Sequence, residues 1–234
     1  MKRYIPITLE SEPSIIGVNN GIYQCEIKPN KFKNKDGFLH LERFYDGYRF
    51  DAANNRKIEE SIEIEFCQLL KKAYLTNFMS YSPNLFGCHF IIDERAYNIL
   101  HRFEFGKFSK FIPLKLYDNK GQYVNGKYYL LFQDLILNSC VDFKNSLFYT
   151  GHKVTADRKN VSFNNPKEYQ NELFVNTEQI ILNEKFNNNL DFFTPRIGTR
   201  FFISENLMAE IERNGLTGLS RTKQIKEITV ANKT

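Results

Sequence analysis

Over the first 55 positions, short apolar runs alternate with turn residues and build no long amphipathic face. Ile15-Ile16-Gly17, Asn19-Asn20-Gly21, Lys35-Asp36-Gly37 and Asp46-Gly47 mark the turns. Between them, 22–27 and 38–44 are rich in β-branched and aromatic residues and read as strands. Across 57–74 the pattern changes: Ile58, Ile62, Phe66, Leu69, Leu70 and Ala73 recur at steps of three and four, the spacing of an amphipathic helix. Glu59, Glu60, Glu63 and Glu65 in its N-terminal half, and Lys71 and Lys72 at its end, suit the helix dipole. Residues 76–83 read as a loop.

A similarity links 90–108 to 201–219. Phe90-Ile91-Ile92-Asp93-Glu94-Arg95 lines up with Phe201-Phe202-Ile203-Ser204-Glu205-Asn206, and Leu100 and Arg102 fall opposite Ile211 and Arg213. Each copy reads as a strand, a capping residue and a helix. Asp93 and Ser204 can accept hydrogen bonds from the free amides of a first helical turn. Ala96, Ile99, Leu100 and Phe103 form the inner face of one helix; Leu207, Met208 and Ile211 form that of the other. Asn214-Gly215 supplies a left-handed C-terminal cap. Between the copies, 110–117 and 127–132 read as the strands of a hairpin. Residues 150–171 and 186–195 read as exposed loops.

These elements add up to an α+β fold with a mixed or mainly antiparallel sheet and a few packed helices, including the two strand-cap-helix units. The expected organisation is one compact domain over 1–234, with a β-rich 1–80 part that includes the 57–74 helix, followed by 85–220. At 234 residues with 22 Phe and 13 Tyr, the chain can bury a core without metals or disulfides. Cys25, Cys67, Cys88 and Cys140 form no paired motif and read as free thiols of a reducing compartment. The N-terminal residues lack the apolar core, about 7 residues or more, of a signal peptide. No stretch approaches the roughly 18 apolar residues of a membrane span. The expected location is therefore the cytoplasm.

Candidate chemistry is sparse. Nucleotide-binding glycine loops, zinc helices, a nucleophile elbow and calcium loops are absent, so neither cofactor nor metal is expected. His40, His89, His101 and His152 are scattered. An enzyme would have to pair His89 or His152 with Asp134 or Asp142 from a distance, and capping or turn roles are the plainer reading of the two aspartates. Glu59 and Glu63 would share a helical face and could hold a cation, but a solvated face explains them better. The run Arg43-Phe44-Tyr45-Asp46-Gly47-Tyr48-Arg49-Phe50 could stack bases, yet it also makes an ordinary aromatic hairpin. With 32 basic residues spread among 27 acidic ones, the net charge of +5 builds no basic block. Nucleic acid is the lesser reading.

The run Phe90 to Ala96, then 111–117, 142–148 and 192–196, and finally Phe201 to Leu207 through Gly215-Leu216-Thr217-Gly218, resembles the myxococcal-type immunity proteins of bacterial polymorphic toxin systems. The resemblance covers roughly 85–220. It implies a non-enzymatic cytoplasmic protein that binds and neutralises a cognate toxin, with Asp93 and Ser204 as caps and Gly215 and Gly218 as turn formers. It carries over no catalytic residues. For such a protein the interface is expected in the polar loops, at Arg158, Lys159 and Asn188, with Phe192 and Arg196 as anchors. A core strand position is the competing reading of Phe192.

Overall fold

The computed structural model describes residues 2–19, 23–36, 39, 63–83, 85, 88–107, 109–133, 135–152, 157–197, 200–222 and 228–230. The expected strand at 38–44, the aromatic run at 43–50 and the start of the expected helix at 57–62 lie outside these, apart from Leu39. In chain order the strands are β1 Tyr4–Leu9, β2 Cys25–Ile27, β3 Ile64–Leu69, β4 Phe78–Met79, β5 Tyr81–Ser82, β6 Cys88–Asp93, β7 Lys110–Tyr117, β8 Tyr128–Phe132 and β9 Leu135–Ile136. They continue with β10 Leu147–Thr150, β11 Lys159–Val161, β12 Asn176–Gln179, β13 Ile181–Leu182, β14 Phe192–Pro195, β15 Phe201–Ser204, β16 Leu219–Arg221 and β17 Thr229–Val230. The helices are α1 Pro13–Ile16, α2 Glu94–Leu100, α3 Pro166–Asn171 and α4 Glu205–Arg213. Helices and mixed sheets together make an α+β fold. The chain forms two compact units, one from Met1–Thr8, Leu135–Met208 and Arg221–Thr234, the other from Leu9–Asp134 and Ala209–Ser220. Their boundaries do not follow the 1–80 and 85–220 parts.

The unit built on Leu9–Asp134 is a seven-stranded sheet in the order β4-β6-β8-β7-β3-β2-β5. β4 pairs with β6 at one edge, β5 pairs with β2 at the other, and only Ser80 separates β4 from β5. One continuous segment thus occupies both edges, and the sheet closes into a small barrel with no free edge there. Ser80 makes the joint by accepting, on its carbonyl, the N–H groups of Gln24 at 3.0 Å and Cys25 at 3.1 Å. The 76–83 segment is therefore not the expected loop but a buried pair of short strands, with Phe78 and Met79 both at 0% exposure. Strand β7 shows the sequence logic most plainly. Ile112, Leu114 and Leu116 point inwards while Pro113 and Lys115 stay exposed, a clean period of two.

The expected 57–74 helix is overturned over its described part: 64–69 is β3, pairing with β2 on one side and β7 on the other. Ile62-Glu63-Ile64-Glu65-Phe66 alternates apolar and polar with period two as well as fitting helical spacing. Ladders with β2 and β7 on its two sides hold this segment extended, and Ile and Phe favour that form.

Both strand-cap-helix units form. Asp93 Oδ1 accepts the Ala96 N–H at 2.8 Å, and its Oδ2 accepts Asn77 Nδ2 at 2.7 Å. Ser204 Oγ accepts the Leu207 N–H at 3.2 Å. Ala96, Ile99 and Leu100 are buried in one copy, and Leu207, Met208 and Ile211 in the other. Helix α4 ends as expected: Gly215 takes φ +60, its N–H reaches Glu212 O, and the Leu216 N–H reaches Ile211 O.

In the other unit β1, β15, β14 and β9 lie side by side, β14 parallel to β9 and the remaining pairs antiparallel. Its core is aromatic. Tyr4 meets Phe193 edge-on at 4.9 Å, Phe186 lies 4.8 Å from Phe193, and Phe193 stacks on Phe202 at 5.6 Å. Phe143, Phe148, Phe163 and Tyr169 form a second knot around β10, which sits between β11 and β12. Residues 186–195 are consequently not an exposed loop: Phe186, Leu190, Phe192 and Phe193 are buried, and only Asn187 to Asn189 reach solvent. Likewise 150–171 contains β11 and α3.

Two glycines near the end of this frame separate strain from collision. At Gly215 a Cβ would meet nothing within 4 Å, whereas at Gly218, φ +102, it would lie 2.0 Å from Phe78 O. Gly215→Ala should therefore cost about 1 kcal/mol, the left-handed penalty alone. Gly218→Ala should cost about 3 kcal/mol or more, because backbone must move. Urea unfolding of the two variants checks the order, and equal losses would contradict it.

Candidate functional site

The residues expected at an interface divide between two sheets. Arg158 and Lys159 precede and open β11, whereas Asn188, Phe192 and Arg196 belong to the loop and strand around β14. Lys159 is exposed, opposite Thr150. Arg158 is half-buried; its guanidinium lies over the Tyr149 ring, 4.6 Å from the centroid, and ion-pairs with Glu178. Its fork is committed within the sheet, so it serves cross-strand structure. Asn188 is exposed, but its carbonyl accepts the Tyr4 hydroxyl at 3.1 Å. Phe192 is 1% exposed, opposite Ile203. Its core-strand reading is the one observed, and it cannot anchor a partner from the folded surface. Arg196 is half-buried, with its N–H on Ile136 O at 3.0 Å.

The 187–191 loop is clasped from β1. Tyr4 Oη also donates to Leu190 O at 3.0 Å, and Lys2 Nζ pairs with Asp191 at 2.8 Å. Asp191 is nearly buried and accepts Ser204 Oγ at 2.7 Å, which joins this clasp to the α4 cap. Burial, and then the Asp191 carboxylate, push the Tyr4 phenol up to about 12.

The groups considered for catalysis take other roles. Burial drives the His89 imidazole down to about 3, against a hydrogen bond with Gln133 that favours its charged form. A ring that weakly basic is a poor proton acceptor near neutral pH. Asp142 accepts the backbone N–H and side-chain amide of Asn145 at 3.2 and 2.7 Å, the turn role expected for it. Asp134 lies outside the described residues. Among the described residues no group of three or more His, Cys, Asp or Glu could hold a metal ion. Nor, among them, is any helix long and apolar enough to cross a membrane.

An aromatic ladder stands on the barrel: Phe66 stacks on Tyr117 at 4.1 Å, Tyr117 meets Tyr123 at 5.8 Å, and Lys31 Nζ sits 4.4 Å over Phe66. The same region carries Glu63, paired with Lys115 at 2.9 Å, and Glu65, which accepts the Lys33 and Asn34 amides. Carboxylates interleaved with the lysines oppose a phosphate backbone.

Sequence reasoning passed over Leu173 and Phe174, which are 73% and 88% exposed. They follow α3 and precede β12, at the end of the sheet that also carries Lys159. Inside a polar stretch, Leu173-Phe174-Val175 looks like one more buried strand. Phe174 instead takes a left-handed turn, φ +56, and both side chains stay exposed. No family model and no curated protein matches the chain.

The Tyr4 clasp gives a pH test. An unfolded tyrosine ionises near 10 and Tyr4 near 12, so the folded state holds the extra proton between them and stability is lost as pH rises through that window. Wild-type stability should fall by about 2 kcal/mol more than that of Tyr4→Phe between pH 9 and pH 12. Tyr4→Phe itself should cost about 1 kcal/mol at pH 8 by removing the one O–H that Tyr4 shares between the Asn188 and Leu190 carbonyls. Denaturant titrations of both proteins across this range check it; parallel curves would contradict the assignment.

Proposed function

We propose that the chain is an immunity protein, which binds a cognate toxin of a bacterial polymorphic toxin system and neutralises it by protein–protein contact. One observation carries the reading. The positions through which the chain resembles that family hold structural roles of the kind the resemblance implies: Asp93 and Ser204 cap helices, and Gly215 and Gly218 turn at positive φ. A scaffold of this kind suits inhibition by occlusion, which asks for a stable frame presenting a complementary surface and no chemistry of its own.

The weak basicity of His89 and the turn role of Asp142 count against the distant-site enzyme. The carboxylates around the aromatic ladder count against nucleic acid. On this reading the protein works in the cytoplasm, where it meets the toxin.

The test is co-expression with the polypeptide encoded by the neighbouring gene. That polypeptide should arrest growth when expressed alone, growth should return when this chain is co-expressed, and the two should co-purify at fixed stoichiometry after a high-salt wash. Arrest without rescue would overturn the proposal. Bound nucleic acid lost steeply with salt would favour the lesser reading.

A further inference from the structure

Leu173 and Phe174 are the two most exposed large apolar side chains among the described residues. Phe174 also holds a conformation that a phenylalanine disfavours. Phe174 sits at φ +56, in the left-handed region where a Cβ crowds the following carbonyl. An ordinary surface turn would place glycine or asparagine there. The turn is fastened at both ends. On one side, Asn165 Oδ1 caps α3 by accepting the Lys167 and Glu168 amides, Tyr169 packs its ring against Phe163 at 5.5 Å, and the Glu172 N–H closes on Tyr169 O. On the other side, Asn176 pairs with Tyr149 in the ladder and its Nδ2 donates to Gly151 O at 3.1 Å. Two apolar side chains therefore project from a convex, anchored turn, the arrangement that loses least freedom on binding.

We propose that Leu173 and Phe174 form an apolar plug that seats in a pocket of the partner protein, an inference that rests on the immunity reading for the partner's identity. A convex pair fits a concavity better than a flat face. Glu172, exposed and next to Leu173 in the chain, and Lys159, exposed at the same end of the sheet, put charges of both signs around the plug, which suits the polar rim of a protein pocket better than a uniformly anionic lipid surface or phosphate backbone. Lys159, two strands across the same sheet, supplies a cation for that rim.

The experiment uses Phe174→Gly in the full chain, because glycine accepts the positive φ and removes the ring together with the strain. Thermal unfolding should show a melting temperature equal to or above that of the wild type. Calorimetric titration against the neighbouring-gene polypeptide should show affinity weakened about tenfold or more, with Leu173→Ser behaving alike. Wild-type binding with unchanged affinity in both variants would overturn the plug and leave the immunity reading standing. If the wild type does not bind that polypeptide, the immunity reading falls instead. The plug is then decided by Phe174→p-benzoylphenylalanine cross-linking in the native cells. The adducted protein, once purified, should bind the wild type and bind Phe174→Gly about tenfold or more weakly. Cross-links only to lipid, only to a second copy of this chain or to nothing would overturn the plug.

Discussion

The segment Asn77 to Ser82 has to serve both edges of one sheet, and the unit around it depends on how that is done. Phe78 and Met79 pair with β6, while Tyr81 and Ser82 pair with β2. The turn between them leaves Ser80 to donate and accept at the junction. Gln24, itself buried, reads both sides: its backbone and that of Cys25 reach Ser80 O, and its Nε2 reaches Tyr74 O and Thr76 Oγ1. Asn77 then ties the closure to the rest of the unit. Its side chain donates to the Asp93 cap and accepts the Thr217 N–H at 2.8 Å. Closure, helix cap and returning chain thus share one polar network, and the near-contact of Gly218 with Phe78 O shows how little room it leaves.

The other unit is held by a different balance. Aromatic rings fill much of its core beside Val141, Ile180, Leu182, Leu190, Ile197 and Ile228, in two knots centred on Phe193 and Phe148. Rings that large bring polar atoms with them, and Tyr4 is buried only because its hydroxyl reaches the Asn188 and Leu190 carbonyls. Buried Asp191 is held in the same way, by Lys2 and Ser204. The Asn187–Asn189 tip is exposed, yet its backbone is part of the core's hydrogen bonding. That is the physical reason why a polar stretch which reads as a variable loop is half core.

Local signals were legible where one element answers to one pattern. The alternation in β7, the hairpin it makes with β8, and the Asp93, Ser204 and Gly215 caps follow from side-chain chemistry within a few residues. What was not legible depended on distant partners. Residues 64–69 fit either period, and only the flanking β2 and β7 decide for a strand. Nothing local in 76–83 announces a barrel joint. Phe192 and Phe193 sit beside three asparagines, and their burial comes from β15 and β1. One signal was readable and passed over: Asn165-Pro166-Lys167-Glu168 carries a capping asparagine, a proline at the first helical position and a glutamate that reaches back to the Asn164 amide at 2.8 Å. Of the expected interface residues, Lys159 is exposed on the sheet whose end carries Leu173 and Phe174, and nothing in the composition announces the exposure of those two.

The division between frame and surface bears on function. Of the positions through which the chain resembles immunity proteins, Asp93, Ser204, Gly215 and Gly218 act on the backbone as caps or turns, and others, such as Ile112, Phe148 and Phe192, fill the core. A binder that must match one partner and ignore others needs its recognition chemistry to vary without endangering the fold. Arg158 shows what happens otherwise: its guanidinium is spent on Tyr149 and Glu178, so changing it would disturb the sheet. Leu173 and Phe174 are in the opposite position, since their side chains fill no described aromatic knot and their turn is fixed by neighbours on either side. A residue that fills neither described aromatic knot and still holds a disfavoured backbone angle is the kind of outlier from which a role is inferred, and on the immunity reading contact with a partner would supply it.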